Sequence, residues 1–219
     1  MSLLYKKALN MKHDVPKTKI ILSDADGVLL NWYNSFEIWM AEKGHIRVPD
    51  STDKFILSDV FGLDERKSLE LLDEFNHSEY TTKLAAYKDS KKYVQKLVAA
   101  GFRFIVVTSL GDTEIAKQNR TKNLVTEFGE IFDEIVFLPT GAGKHHILER
   151  WAGSGLFWIE DHFTNAESGY ELGLRSILVD THYNRHYETD LFPRVNMHHP
   201  WHDIAQMIAK EYNISIDLW

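Results

Sequence analysis

The chain has 219 residues, 44% hydrophobic and 26% charged, with a net charge of −7 and no cysteine. That length suits one core of ordinary size, or a core carrying a modest insertion, and the acidic balance argues against a nucleic-acid polymer, whose phosphates need a basic surface. Without cysteine there is no disulfide, no thiol nucleophile and no thiolate zinc site. No apolar run approaches the roughly 20 residues that span a bilayer, and MSLLYKKALNMKHDVPK has no apolar segment followed by a small-residue cleavage site. The expectation is a cytoplasmic protein with no membrane partner; the oligomeric state is left open, a homodimer included.

In chain order, KIILSDA (19–25) is an apolar run that stops on two carboxylates, Asp24 and Asp26, followed by Gly27. Next come NSFEIWMAEKGH, DERKSLELLDEFN and SEYTTKLAAY, each amphipathic at helical spacing. DSKKYVQKLVAAG predicts a helix with Asp89 or Ser90 as its N-cap and Gly101 beyond its end. FRFIVVTS (102–109) reads as a strand, Asp112 to Gly129 as a helix, and EIVFLP (134–139), LFWIED (156–161) and RSILVDT (175–181) as further strands. Pro200, Trp201 and an Ile204/Met207/Ile208 stripe read as a C-terminal packing helix.

Buried apolar runs alternating with helices predict an α/β fold, a Rossmann-like doubly wound parallel sheet of about five strands. The gap of about 75 residues between the first two strands far exceeds the dozen or so that a crossover needs, so residues 32–86 are read as a small helical cap inserted after the first strand. The core is then 1–31 with 87–219.

Ligands of such sheets bind at the carboxyl ends of the strands. Those ends read Asp24/Asp26, Thr108/Ser109, Pro139/Thr140 and Glu160/Asp161, with Lys144 just after the third. Two carboxylate pairs, two hydroxyls and one lysine describe a magnesium phosphate site: Mg²⁺ takes hard oxygen ligands, while lysine and hydroxyls hold phosphate oxygens. Alternate residues of a strand entering a turn can both face a substrate, which suits the one-residue gap between Asp24 and Asp26.

These segments resemble the haloacid dehalogenase superfamily of phosphohydrolases. DADGVLL resembles its DxDGxL signature, VVTS its second motif, GKHHIL the lysine motif and WIEDHFTN the acidic motif, in order across the core. The resemblance implies that Asp24 is the nucleophile and forms an aspartyl-phosphate, that Asp26 is the acid and base, and that Thr108, Ser109 and Lys144 bind the phosphoryl group. It implies Mg²⁺ on Asp24, Asp161 and the main-chain carbonyl of Asp26, with Glu160 behind, orienting a metal-bound water or Lys144.

The cap position and the later YNRHY…PRV…WHDI segment are similar to the 5'(3')-deoxyribonucleotidase branch, which implies a nucleoside monophosphate as substrate. The cap aromatics Trp32, Tyr33, Phe36, Trp39, Phe55, Phe61, Phe75 and Tyr80 are platforms on which a base could stack; Trp32 and Tyr33, nearest the catalytic turn, are the leading candidates, and most of the others, Phe36, Trp39 and Phe75 at helical spacing among them, are read as cap core. Rival readings are a sugar-phosphate phosphatase or phosphomutase, and a catalytically quiet binding or regulatory protein, which only the glutamate at 160 favours. Arg185, after the fifth strand, either reaches the site or fixes its loop. His198, His199 and His202 are read as the entry to the last helix rather than as a metal site.

Overall fold

A computed structural model describes residues 18–217. The expectation of a missing leader in residues 1–17 lies outside the described residues. β1 (Ile20–Ser23) is the middle of a six-stranded parallel sheet. β2 (Arg103–Thr108) pairs with it on one side and carries β3 (Phe132–Phe137) at the edge; β4 (Phe157–Glu160) pairs on the other side and leads through β5 (Arg175–Val179) to β6 (Arg194–Val195).

Both faces of the sheet are covered. Ile21, Phe104 and Val106 enter one apolar layer, and Leu22, Ile105 and Val107 enter the other. An uninterrupted apolar run is what such a strand requires, and this is why the central strands were readable. At the edge, β3 begins two residues before the predicted 134, because one side of an edge strand meets solvent and Asp133 and Glu134 can lie within it. The two residues of β6 pair only with Leu178 and Val179, too short a stretch to give a pattern.

The insertion supplies α1 (Trp32–Glu42), α2 (Leu57–Phe61) and α3 (Glu65–His77). Asp64 caps α3 by accepting from Lys67 N at 2.9 Å. The third predicted helix, in SEYTTKLAAY, is instead one 3₁₀ turn (Glu79–Thr82) that runs into extended chain. Thr81 and Thr82 turn their hydroxyls back onto the Ser78 and Glu79 carbonyls at 2.8 Å, a local bond that competes with helix. The outgoing and returning chains then run side by side, with Asn31 N donating to Ala85 O and Tyr87 N to Leu29 O.

The remaining helices are α4 (Ser90–Ala99), α5 (Glu114–Phe128), α6 (His145–Leu148), α7 (Phe163–Glu171) and α8 (Pro200–Glu211). Among the described residues, no helix is long and apolar enough to cross a membrane. Helix α8 buries Trp201, Ile204, Ala205 and Ile208, and the Trp201 indole donates to Val28 O at 2.8 Å, just beyond the Asp24 turn. Asp89 stands at the start of α4 without capping it. Its carboxylate accepts from Trp201 N (3.0 Å) and His202 N (2.9 Å) and so caps α8 from a distance, because α4 and α8 pack together and the orphan N–H groups of α8 face it. Ser90, the alternative cap, gives its hydroxyl to Leu29 O.

Asp89→Ala should therefore destabilise the C-terminal helix, lowering the unfolding free energy by about 1 kcal/mol. Urea unfolding followed by tryptophan fluorescence checks this; an unchanged midpoint would mean that the two bonds carry no stability.

Candidate active site

The β1 ladder gains one further bond, Asp24 N to Ile159 O at 2.9 Å, which fixes Asp24 in the seam between β1 and β4 where the strand order reverses. Its Oδ1 accepts from Ala25 N at 2.6 Å and lies 2.8 Å from Lys144 Nζ. The chain then turns through Gly27 at φ +76°. A Cβ there would stand 1.9 Å from Asp161 Oδ2, so the close approach of the two loops requires glycine.

Glu160 ends β4 and Asp161 follows it. Asp24, Glu160 and Asp161, all buried, bring one carboxylate oxygen each within 4.8 Å of one another. Lys144 closes the group, 3.3 Å from Glu160 Oε1 and itself buried over the Trp158 ring. Asn165 of α7 donates to the same Glu160 oxygen at 2.7 Å and accepts from Lys144 N at 3.3 Å. Tyr183 donates to Asp161 Oδ2, and Asn184 to Asp161 O at 2.7 Å.

Burial and repulsion set the protonation of this group. Burial, reinforced by Asp24, raises Glu160 well above the usual carboxylate range and pushes Asp161 up to about 8. Burial alone would lower Lys144, but Asp24 and Glu160 outweigh it and hold the ammonium above its ordinary value. Asp26 is raised to about 6 by burial, against the pull of Arg120, which lies 2.8 and 2.9 Å from its two carboxylate oxygens. Burial lowers His162, which favours its neutral form. Three hard oxygen donors and no sulfur form the ligand set of a hard divalent cation such as Mg²⁺.

The cluster opens on a cavity of about 470 Å³ between the sheet edge and the inserted helices. Asp24, Asp26, Thr108, Ser109, Lys144, Glu160, Asp161, Trp32 and Tyr33 all line it. The Thr108 hydroxyl is buried without a hydrogen-bond partner, whereas Ser109 gives its own to Ala142 O at 2.7 Å. Trp32 is stacked on Phe36 and edge-on to Phe75, so most of its ring belongs to the inserted helices' own core. Tyr33 leans on Tyr183. Phe55 and Ile56 present far more surface, 44% and 60% exposed.

No protein-family model matches the chain. In sequence it is 26% identical over 208 residues to a protein of Enterobacteria phage T4 described as an uncharacterized 32.4 kDa protein in the Gp30-rIII intergenic region, covering 90% of this chain and 73% of the phage protein. Among solved structures it is similar to a predicted phosphatase from Clostridium acetobutylicum (TM-score 0.61, 17% identity, 88% of this chain and 99% of that one). It is also similar to a HAD family hydrolase from Deinococcus radiodurans with bound phosphate and sodium (TM-score 0.58, 15% identity, 92% and 99%). A third likeness is to CbbY from Rhodobacter sphaeroides in complex with phosphate (TM-score 0.54, 16% identity, 81% and 92%). The chain has the haloacid dehalogenase (HAD) fold.

Within this HAD fold the four sequence motifs meet at one sheet edge, and three polar side chains join them that sequence reasoning missed. Asn165 lies in the quoted WIEDHFTN, one turn into α7, where only the fold brings it back to Glu160. Tyr183 and Asn184 come from the 3₁₀ turn His182–Asn184, in the segment where Arg185 drew attention. Arg185 itself takes the loop-fixing alternative, bonded to Asp180 at 2.8 and 2.9 Å and exposed to solvent. His199 sits at the N-cap of α8 and His202 bonds Asp203 at 2.9 Å; these histidines form no metal-ligand group among the described residues.

The raised Asp161 has a linkage consequence. A carboxyl that holds its proton more tightly folded (about 8) than unfolded (3.8) adds stability below about pH 4, and that contribution is lost as pH rises through about 8. A bound cation competes with that proton. In EDTA, the melting temperature should fall between about pH 5.5 and pH 8.5, and added Mg²⁺ should raise it most at the alkaline end. Thermal scans check this; a melting temperature that climbs with pH in EDTA, or an equal Mg²⁺ effect at both ends, would contradict it.

Proposed function

We propose that the protein is a magnesium-dependent phosphomonoester hydrolase that works through an aspartyl-phosphate and acts on nucleoside monophosphates, deoxyribonucleotides ahead of ribonucleotides. One observation carries the chemistry: the Asp24 carboxylate, 2.8 Å from the Lys144 ammonium, stands in a buried acidic cluster facing a cavity. Asp24 attacks phosphorus, the P–O ester bond breaks, and Asp26 gives its proton to the departing alkoxide. Asp26 then takes a proton from the water that displaces Asp24, and inorganic phosphate leaves. A carboxyl at about 6 suits a group that gives and takes a proton near neutrality.

Lys144 and the Thr108 hydroxyl hold the non-bridging oxygens, the partnerless buried hydroxyl of Thr108 suiting a ligand oxygen, whereas Ser109 lines the cavity with its own hydroxyl given to Ala142 O. Asp24, Asp161 and the Asp26 carbonyl would hold Mg²⁺, with Glu160 behind them against Lys144 and Asn165. When bound, the ion neutralises the charge gathered between two anions. The inserted segment, 32–86, acts as a lid on the paired chains at Asn31/Ala85 and Leu29/Tyr87, excluding water once substrate is in.

The nucleotide assignment is supported by the lid's wall, where Trp32, Phe55, Ile56, Leu57, Leu69 and Leu72 offer apolar and aromatic surface to a base. Lys144 is the one lysine or arginine among the described residues lining the cavity, which suits a single phosphate on an uncharged remainder. A second reading, a sugar-phosphate phosphatase or phosphomutase, is favoured by CbbY, which has been solved with xylulose bisphosphate. A mutase would return the phosphoryl group to a sugar, so product analysis separates it.

Phosphate release should depend on Mg²⁺, be lost in EDTA, and favour deoxyribonucleoside monophosphates in a panel with ribonucleotides and sugar phosphates. Asp24→Asn should cut it by more than about 1000-fold while leaving the circular dichroism unchanged. Release from sugar phosphates alone would overturn the nucleotide assignment; near-normal turnover by Asp24→Asn would remove the nucleophile.

A further inference from the structure

The most demanding buried group outside the four motifs is the Arg120 guanidinium. It is 0% exposed, in the middle of α5, on the face that also carries the buried Ala116, Asn123 and Leu124. A guanidinium keeps its charge in any protein environment, and buried charge is tolerated only against an opposite charge. Among the described residues its ion-pair partner is Asp26: Arg120 Nη2 donates to Asp26 Oδ2 at 2.9 Å, and Nη1 stands 2.8 Å from Oδ1 as a close charge contact without hydrogen-bond geometry.

Asp26 is the less buried member of the pair, its side chain 22% exposed and lining the cavity, whereas Arg120 does not line it. The backbone beneath Asp26 is fixed as well, through the bridge to Leu30 and the Gly27 N to Leu30 O bond of 2.9 Å. Whatever Arg120 does in a reaction it does through Asp26.

We propose that Arg120 is a positioning residue for the acid/base Asp26, holding its carboxylate in one direction and stabilising the anion left when the proton goes to the leaving group. This rests on the acid/base reading of Asp26 given above. In the first step the proton moves from Asp26 to the alkoxide as the P–O bond breaks, and the new carboxylate faces a cation already in place. In the second step the proton taken from water returns to Asp26 as phosphate leaves, and the neutral acid beside Arg120 is ready for the next turnover. Arg120 exchanges no atom in either step.

Leaving-group dependence separates this role from simple scaffolding. A nitrophenolate departs without a proton, whereas a nucleoside alkoxide needs one. In rapid-quench experiments on the full chain, Arg120→Met should slow the single-turnover cleavage of a deoxyribonucleoside monophosphate by about 100-fold or more, yet reduce the nitrophenolate burst from 4-nitrophenyl phosphate by less than about tenfold. Arg120→Lys, which keeps the charge and loses the planar guanidinium, should fall between Arg120→Met and the unsubstituted protein, and serves in the same comparison if Arg120→Met does not fold. Adding Arg120→Met to Asp26→Asn should cost nothing further, since the first residue acts through the second. Equal losses on both esters, or a full additional loss in the double variant, would overturn the proposal while leaving Asp26 its role. If Asp26→Asn itself spares the nucleotide reaction, the acid/base reading fails, and this proposal with it.

Discussion

Everything at this site depends on the Lys144 ammonium. Three carboxylates, those of Asp24, Glu160 and Asp161, converge within 4.8 Å in a buried seam, where like charges repel strongly and desolvation is costly. Lys144, at 2.8 Å from Asp24 and 3.3 Å from Glu160, is the protein's own counter-charge. One ammonium cannot match three carboxylates, and burial, reinforced by the Asp24 charge, raises Glu160 and Asp161 so that they hold their protons. On the proposed reading, a divalent cation would displace those protons and a phosphate would then balance the cation.

The sheet makes this imbalance possible. Asp24 and the Glu160/Asp161 pair end neighbouring parallel strands, so the ladder that joins β1 to β4 also presses their carboxylates together. Hydrophobic burial on both faces supplies the stability that offsets the strain, with Trp158 beneath Lys144 and Trp201 tied to Val28 behind the turn. Glycine at 27 is the local condition, since any side chain there would occupy the place of the Asp161 carboxylate.

How much could be read from the sequence follows from how each residue is placed. Asp24, Asp26, Thr108, Lys144 and Asp161 lie at or just past the ends of apolar runs, and a strand end is a position that periodicity can locate. Arg120, Asn165 and Tyr183 come from a helix interior, a first helical turn and a loop, and reach the site only through tertiary packing. Arg120 left a faint trace: Ala116 and Leu124, four residues to either side, are apolar, so the helical phase puts the arginine on the inner face. The same limits explain the misread elements. Threonine hydroxyls bonded to nearby carbonyls stand where a third inserted helix was expected, and Asp89, next to α4 in sequence, caps α8, which is next to it in space.

The account's central claim is that Asp24 becomes covalently phosphorylated, and trapping tests it most directly. The full chain, mixed with Mg²⁺ and a deoxyribonucleoside monophosphate, is quenched in acid within milliseconds, digested and weighed by mass spectrometry. A phosphoryl group on the peptide carrying Asp24, gone after a longer chase and never formed by Asp24→Asn, is the predicted result. Phosphate released at full rate with no phosphopeptide at any quench time, or a phosphoryl group on another residue, would contradict it.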